Sequence, residues 1–185
     1  MKQSRSHARI ILPAVLVAAF CAQGLRASDV TFYVGGINPG NLQNGSQQIH
    51  LDGGAVYGFR LNLPIIPTVG LEQTVAFSSN FLAPAGLPAG QDSDGFIYNA
   101  NVIVNIPLKT FTPYATAGAG FIWQHGSGDL PVGGQFAVNY GGGLKFMSLA
   151  GPLGIRIDVR GYTLPDVFSN RLNLFEVSGG LMISF

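Results

Sequence analysis

The sequence predicts an all-β chain, an eight-stranded antiparallel up-and-down transmembrane β-barrel. Three observations predict it. Eight segments alternate apolar residues with small or polar ones at a period of two, the repeat of a strand whose two faces meet different surroundings. The links between the segments alternate between short and long. The charges inside the segments fall on the face opposite the apolar one.

Composition removes several other classes. The chain has 185 residues, one domain's worth, of which 47% are hydrophobic and 26 are glycine. Only 10% are charged, against about 25% in an average soluble domain. Ten Lys and Arg opposed by nine acids cannot form a phosphate-tracking stripe, so no nucleic-acid partner is expected. So much apolar and aromatic residue argues against disorder. The single cysteine, Cys21, excludes a disulfide scaffold. No stretch after residue 28 approaches 18 consecutive apolar residues, which excludes a transmembrane helix.

The amino terminus reads as a cleavable signal peptide over 1–27, with the barrel domain over 28–185. Lys2, Arg5 and Arg9 precede an apolar run from Ile10 to Phe20. That run suits the core of a secretory signal and is too short to cross a bilayer. Small residues at Ala22 and Gly24, and again at Ala27, place cleavage after Gly24 or Ala27. Phe20 is too large for the position before a lipidated cysteine, so Cys21 is not read as a lipoprotein anchor. Cleavage after Ala27 removes four basic residues and no acid, leaving six basic and nine acidic residues.

The strands follow in order. Phe32 and Val34 alternate with Thr31, Tyr33 and Gly35 over 30–36. Over 54–62, Ala55, Tyr57, Phe59 and Leu61 oppose Val56, Gly58, Arg60 and Asn62. Over 68–77, Val69, Leu71, Val75 and Phe77 oppose Gly70, Glu72, Thr74 and Ala76, with Gln73 the exception on the apolar side. Over 96–106, apolar residues from Phe96 to Ile106 interleave with Asn99, Asn101 and Asn105. Over 113–123, Ala115, Ala117, Ala119, Phe121 and Trp123 oppose Tyr114, Thr116, Gly118 and Gly120. Phe136, Val138, Tyr140, Leu144 and Phe146 alternate with Ala137, Asn139, Gly141, Gly143 and Lys145. Leu153, Ile155, Ile157 and Val159 alternate with Arg156, Asp158 and Arg160. The last strand sets Phe175, Val177, Gly179, Leu181, Ile183 and Phe185 against Glu176, Ser178, Gly180 and Ser184.

Short Pro-marked links at 63–67, 107–112 and 148–152 alternate with long polar links at 37–50, 78–95, 124–135 and 163–173. An even strand number, short turns at one end and long loops at the other are the pattern of an outer-membrane barrel. The same alternation could instead build a soluble calycin-type barrel with an apolar, ligand-holding interior. The second face argues against that reading. A water-facing wall would be rich in charge, but this face is mostly Gly, Asn, Ser, Thr and Ala. Its seven charges are Arg60, Glu72, Lys145, Arg156, Asp158, Arg160 and Glu176. Four bases against three acids are near the balance that a dehydrated interior demands. They are expected to form a lumen charge network in which each acid lies within reach of a base.

The alternating terminal strand, the final Phe185 and the alternation of short and long links resemble the small eight-stranded outer-membrane barrels of the OmpA, OmpX and OmpW type. The resemblance covers the whole barrel domain. It implies a location in the outer membrane of a Gram-negative-type bacterium. It also implies that Val177, Leu181, Ile183 and Phe185 form the signal read by the barrel-assembly machinery, with Gly179 interrupting the pattern. No peptidoglycan-binding domain follows residue 185, so that role of OmpA is not expected here.

Candidate chemistry is sparse. His125 has Ser127 and Asp129 close behind it, and His50 lies in another link. Certain family enzymes that remodel lipid A use such residue types, but neighbours along a loop are not a preorganised triad. Asp92-Ser93-Asp94-Gly95 has half the ligands of a calcium loop and is read as a turn. Gly141-Gly142-Gly143 lies within a strand and lacks the ending of a phosphate loop. Tyr57, Phe77, Phe96, Tyr98, Trp123, Phe136 and Phe185 are expected at the membrane interfaces. The reading is therefore a non-enzymatic outer-membrane barrel without cofactor or metal, with a polar plugged lumen and a structural or surface-interaction role. Its expected partners are outer-membrane lipid, the assembly machinery and a surface ligand, and it is expected to be a monomer. An OmpW-like channel for small or hydrophobic solutes is the alternative.

Overall fold

The computed structural model describes residues 29–40, 42–44, 47–49, 53–79, 81, 93–108, 110–126, 133–167 and 170–185. The expected signal peptide, with Cys21, lies outside them. Ten strands are β1 (Asp29–Pro39), β2 (Leu42–Asn44), β3 (Gln47–Ile49), β4 (Gly54–Ile66), β5 (Val69–Ser79), β6 (Ser93–Asn105), β7 (Thr112–Gly126), β8 (Gly134–Ala150), β9 (Leu153–Val167) and β10 (Asn170–Ser184). Eight of them close a barrel in the order β1-β10-β9-β8-β7-β6-β5-β4, and β2 and β3 form a separate hairpin.

Every barrel pair is antiparallel. β1 closes the wall, pairing with β10 from Asp29↔Ser184 to Pro39↔Leu174 and with β4 from Asp29↔Asn62 to Ile37↔Gly54. Closure removes both sheet edges, which is what a sheet in hydrocarbon requires. The apolar faces point outward: Phe32, Val34, Phe59, Val102, Ile157 and Leu181 are exposed, while Arg60, Glu72, Asp158 and Glu176 are buried. A soluble barrel with an apolar ligand pocket is therefore not what this chain builds. Gln73, the exception on the wall, accepts a hydrogen bond from the Tyr98 hydroxyl at 2.7 Å.

The lumen is layered. Along β6, inward residues run Ile97, Asn99, Asn101, Ile103; along β10 they run Leu172, Leu174, Glu176, Ser178, then Met182. Charges and amides thus occupy the middle. A larger apolar cluster including Ile37, Val56, Phe81, Ile97, Ile122 and Leu174 fills the long-link end. Leu63, Ile103 and Met182 are buried toward the short turns. Polar side chains thus occupy the middle of the lumen and apolar ones lie toward both of its ends.

The barrel also rises further than expected at the long-link end. The supposed link over 163–173 is largely strand, because β9 runs to Val167 and β10 starts at Asn170. There the two faces exchange character. Tyr162, Leu164, Leu172 and Leu174 are buried inside, while Arg171 and Asn173 are exposed outside. Thr163 and Asn173 are joined across the outer surface by a 2.9 Å side-chain hydrogen bond. Above this reversal the barrel is built like a water-soluble one; below it, like one solvated by lipid. The apolar-outward alternation fades at the reversal, so the sequence pattern alone ends both strands there. The β2–β3 hairpin likewise lies inside the expected 37–50 link, and Ser93–Gly95, read as a turn, opens β6.

Inward glycines make room for large neighbours. A Cβ built on Gly120 would fall on the Tyr98 carbonyl oxygen, whereas one on outward-facing Gly36 would meet nothing. Gly120→Ala is expected to destabilise the barrel by about 1–3 kcal/mol and to lower the temperature at which the compact gel form is lost. Gly36→Ala should leave that temperature unchanged.

Candidate functional site

The candidate site is the lumen network. Its positions follow from strand parity: Arg156, Asp158 and Arg160 are alternate residues of β9, so all three face inward. Arg60 comes from β4, Glu72 from β5, Lys145 from β8 and Glu176 from β10. All seven are buried, none more than 2% exposed.

Arg60 is the hub of one half. Its Nη1 lies 2.7 Å from Asp158 Oδ2 and its Nη2 lies 2.5 Å from Glu176 Oε1. Glu72 is the hub of the other, receiving Arg156 Nη2 on Oε2 and Arg160 Nη2 on Oε1, each at 2.6 Å. Asp158 joins the halves, because its Oδ1 also lies 3.0 Å from Arg156 Nη2 and 3.2 Å from Arg160 Nη2. Guanidinium groups suit this arrangement, since their planar fork can serve two carboxylates at fixed angles.

Lys145 stands apart. It sits opposite Arg156 across the β8–β9 ladder, a like-charge pair. Its ammonium reaches none of the three expected acids and instead lies 2.7 Å from Asp29 Oδ2. Asp29 is 1% exposed and also accepts a 3.1 Å hydrogen bond from Asn62 Nδ2. Sequence reading missed Asp29 because the alternation was followed only from Val30. The parity of Thr31, Tyr33 and Gly35 extends to it and was the available signal. With Asp29 included, four bases face four acids, and the network carries no net charge.

Tyrosines complete it. Arg60 lies over the Tyr33 ring at 3.6 Å and Arg156 over the Tyr114 ring at 4.5 Å. The Tyr114 hydroxyl donates to Asp158, and the Tyr162 hydroxyl donates to Glu176 Oε2 at 2.7 Å. Ser178 donates to Glu176 Oε1 at 2.7 Å. Such a network fills space and fixes strand positions; each charged group is already held by protein partners.

The other candidates do not assemble into a site. His125 is exposed at the end of β7, opposite Asp94 of β6. Its supposed companions Ser127 and Asp129 lie outside the described residues, as do His50 and Asp92. Ser93 is buried and donates to the Phe81 carbonyl at 2.5 Å. Among the described residues no group of three or more His, Cys, Asp or Glu side chains could hold a metal ion. Val177, Leu181, Ile183 and Phe185 are exposed together on the outer face of the last strand and the residue after it.

Outside, Tyr57, Phe77, Phe96 and Trp123 occupy directly paired positions on four successive strands, with ring centroids 5.4 to 6.3 Å apart. Phe121 and Phe136 extend the belt onto β8. Tyr98 lies one row further from the long links.

A family model for the outer membrane protein beta-barrel domain matches residues 12–180. Neisserial surface protein A is similar in structure, with 12% identity and a TM-score of 0.66 over 86% of this chain and 99% of that one. The outer membrane protein OprG from Pseudomonas aeruginosa gives 12% identity and 0.55 over 88% and 99%. Ail, the attachment invasion locus protein of Yersinia pestis, gives 12% identity and 0.52 over 85% and 100%. At these identities the likeness is one of fold. No curated protein matches the chain.

Lys145→Met strands Asp29 as a buried unpaired carboxylate and is expected to cost about 3–5 kcal/mol of folding free energy. Adding Asp29→Asn removes the stranded charge and should recover most of that loss, read as urea unfolding midpoints in detergent.

Proposed function

The chain belongs to the outer membrane protein beta-barrel domain family, and from that premise we propose that it is a non-enzymatic, monomeric barrel that supports a surface for interaction outside the cell. Its location is the outer membrane of a Gram-negative-type bacterium, with the short turns in the periplasm and the long links outside.

The observation that carries the proposal is the filled lumen. A neutral network of buried, mutually paired charges lies between two apolar layers, which supports a sealed support more than a passage. Interaction then falls to the long links. By sequence position Asp52, Asp92, Asp94, Asp129 and Asp166 lie at that end against Arg171 alone. Since the lumen is neutral, the acidic excess belongs to the external end, a field that favours cationic over anionic partners at low ionic strength. The names of two similar structures, a surface protein and an attachment invasion locus protein, agree with a surface role. Val177, Leu181, Ile183 and Phe185 serve, in this reading, as the strand read by the assembly machinery before the wall meets lipid.

Refolded protein in planar bilayers is expected to give no stable conductance, with heat-modifiable gel mobility showing that it is folded. Steady single-channel steps from folded protein would reject the sealed support and put the small-solute channel in its place.

A further inference from the structure

The two ends of the barrel treat their outer faces differently. At the long-link end the outward face turns polar where the wall leaves the membrane, as Arg171 and Asn173 on β10 show. At the short-turn end the exposed face stays mainly apolar among the described residues, with Thr68 and Thr110 its polar exceptions. Ile65 and Ile66 at the end of β4 are 58% and 53% exposed, and Ile106 and Leu108 in the β6–β7 turn are 58% and 51% exposed. Leu153 and Phe185 continue the same surface at the third turn and the last residue. Lys109 is the one charged residue in the three turns.

Depth makes this informative. From Phe96 in the aromatic belt to Ile106 is ten residues; at about 3.3 Å each on a strand tilted by about 40°, they rise about 25 Å, the height of a barrel's apolar band. An ordinary band would end at Ile106, yet the apolar surface goes on through Leu108. The turn backbones are also fit for an apolar solvent, in which unbonded polar groups are costly. Pro64, Pro67, Pro107 and Pro152 bring no N–H. Ile106 N donates to Pro113 O at 2.9 Å and Leu108 N to Phe111 O at 3.1 Å. Asn105 N donates to Thr68 O at 2.7 Å, tying one turn to its neighbour, and Ser184 N donates to Pro152 O at 2.8 Å, tying the chain end to the third turn.

We propose that the three short turns form an aliphatic collar immersed in the periplasmic leaflet, where phospholipid tails cover Ile65, Ile66, Ile106 and Leu108. The collar continues the wall that already faces lipid, carrying exposed aliphatic side chains past the level at which an ordinary band ends.

The test uses single cysteines at Ile65, Leu108 and, as an external-link control, Gln43, in a Cys21→Ser background. Each is labelled with a polarity-sensitive fluorophore in phosphatidylcholine vesicles, and the compact gel form shows that each variant is folded. The labels at 65 and 108 are expected to emit to the blue of the label at 43. They should be quenched by lipids brominated on the acyl chain, and iodide quenching should be several-fold weaker than at 43. Iodide quenching at 65 and 108 equal to that at 43 overturns the proposal. Shielding that appears only when periplasmic extract is added also overturns it, by placing a protein on the collar instead of lipid.

Discussion

Four bases and four acids share the middle of a barrel whose wall faces lipid. Charge placed there cannot be hydrated, so it must be matched, and the matching ties strands that are distant in sequence. Arg60 on β4 grips β9 and β10, Glu72 on β5 grips β9, and Lys145 on β8 grips the first residue of β1. Much else serves this arrangement. Gly141 leaves room for the Arg160 side chain and Gly143 for the Tyr114 ring. Replacing such a network by apolar residues can be neutral, but breaking it in one place leaves a charge without a partner. It therefore specifies one register among several more than it adds net stability.

The same logic explains the layering. Apolar residues can face inward only where the outward face no longer needs them against lipid, or where a layer closes off the polar middle. The first condition holds above the aromatic belt, where Leu172 and Leu174 turn in and Asn173 turns out. The second holds near the short turns, where Ile103 and Met182 lie beneath the charges.

The wall was the most legible part of the sequence, because lipid on one side and a crowded polar lumen on the other give a strong contrast between faces. Arg60, Glu72, Arg156, Asp158, Arg160 and Glu176 stood out as charges on the wrong face for a wall. The pairing of Lys145 was not legible, because its partner Asp29 lies at the very start of β1 and the strand was followed from the next residue. Nor was the upper part of β9 and β10. Leu174 and Phe175 are adjacent apolar residues, one buried and one exposed, and a period-two pattern loses its phase at such a step. Tyr33 and Tyr114 fall on the lumen side of the sequence pattern without a role, since which carboxylate or guanidinium each meets depends on register across the barrel.

The short connection between β9 and β10 bears on how the barrel assembles. With only residues 168–169 between Val167 and Asn170, this hairpin closes at a small cost in loop entropy compared with the join of β1 to β10, which spans the chain. It brings Glu176 directly opposite Arg160 and Ser178 opposite Asp158. Half of the lumen's charges can thus meet before the cylinder exists, while the partners from β1, β4 and β5 arrive only with closure. Local pairing comes cheaply at the carboxyl end, and the amino-terminal strand, carrying Asp29, completes both the hydrogen-bond circuit and the charge balance in one step.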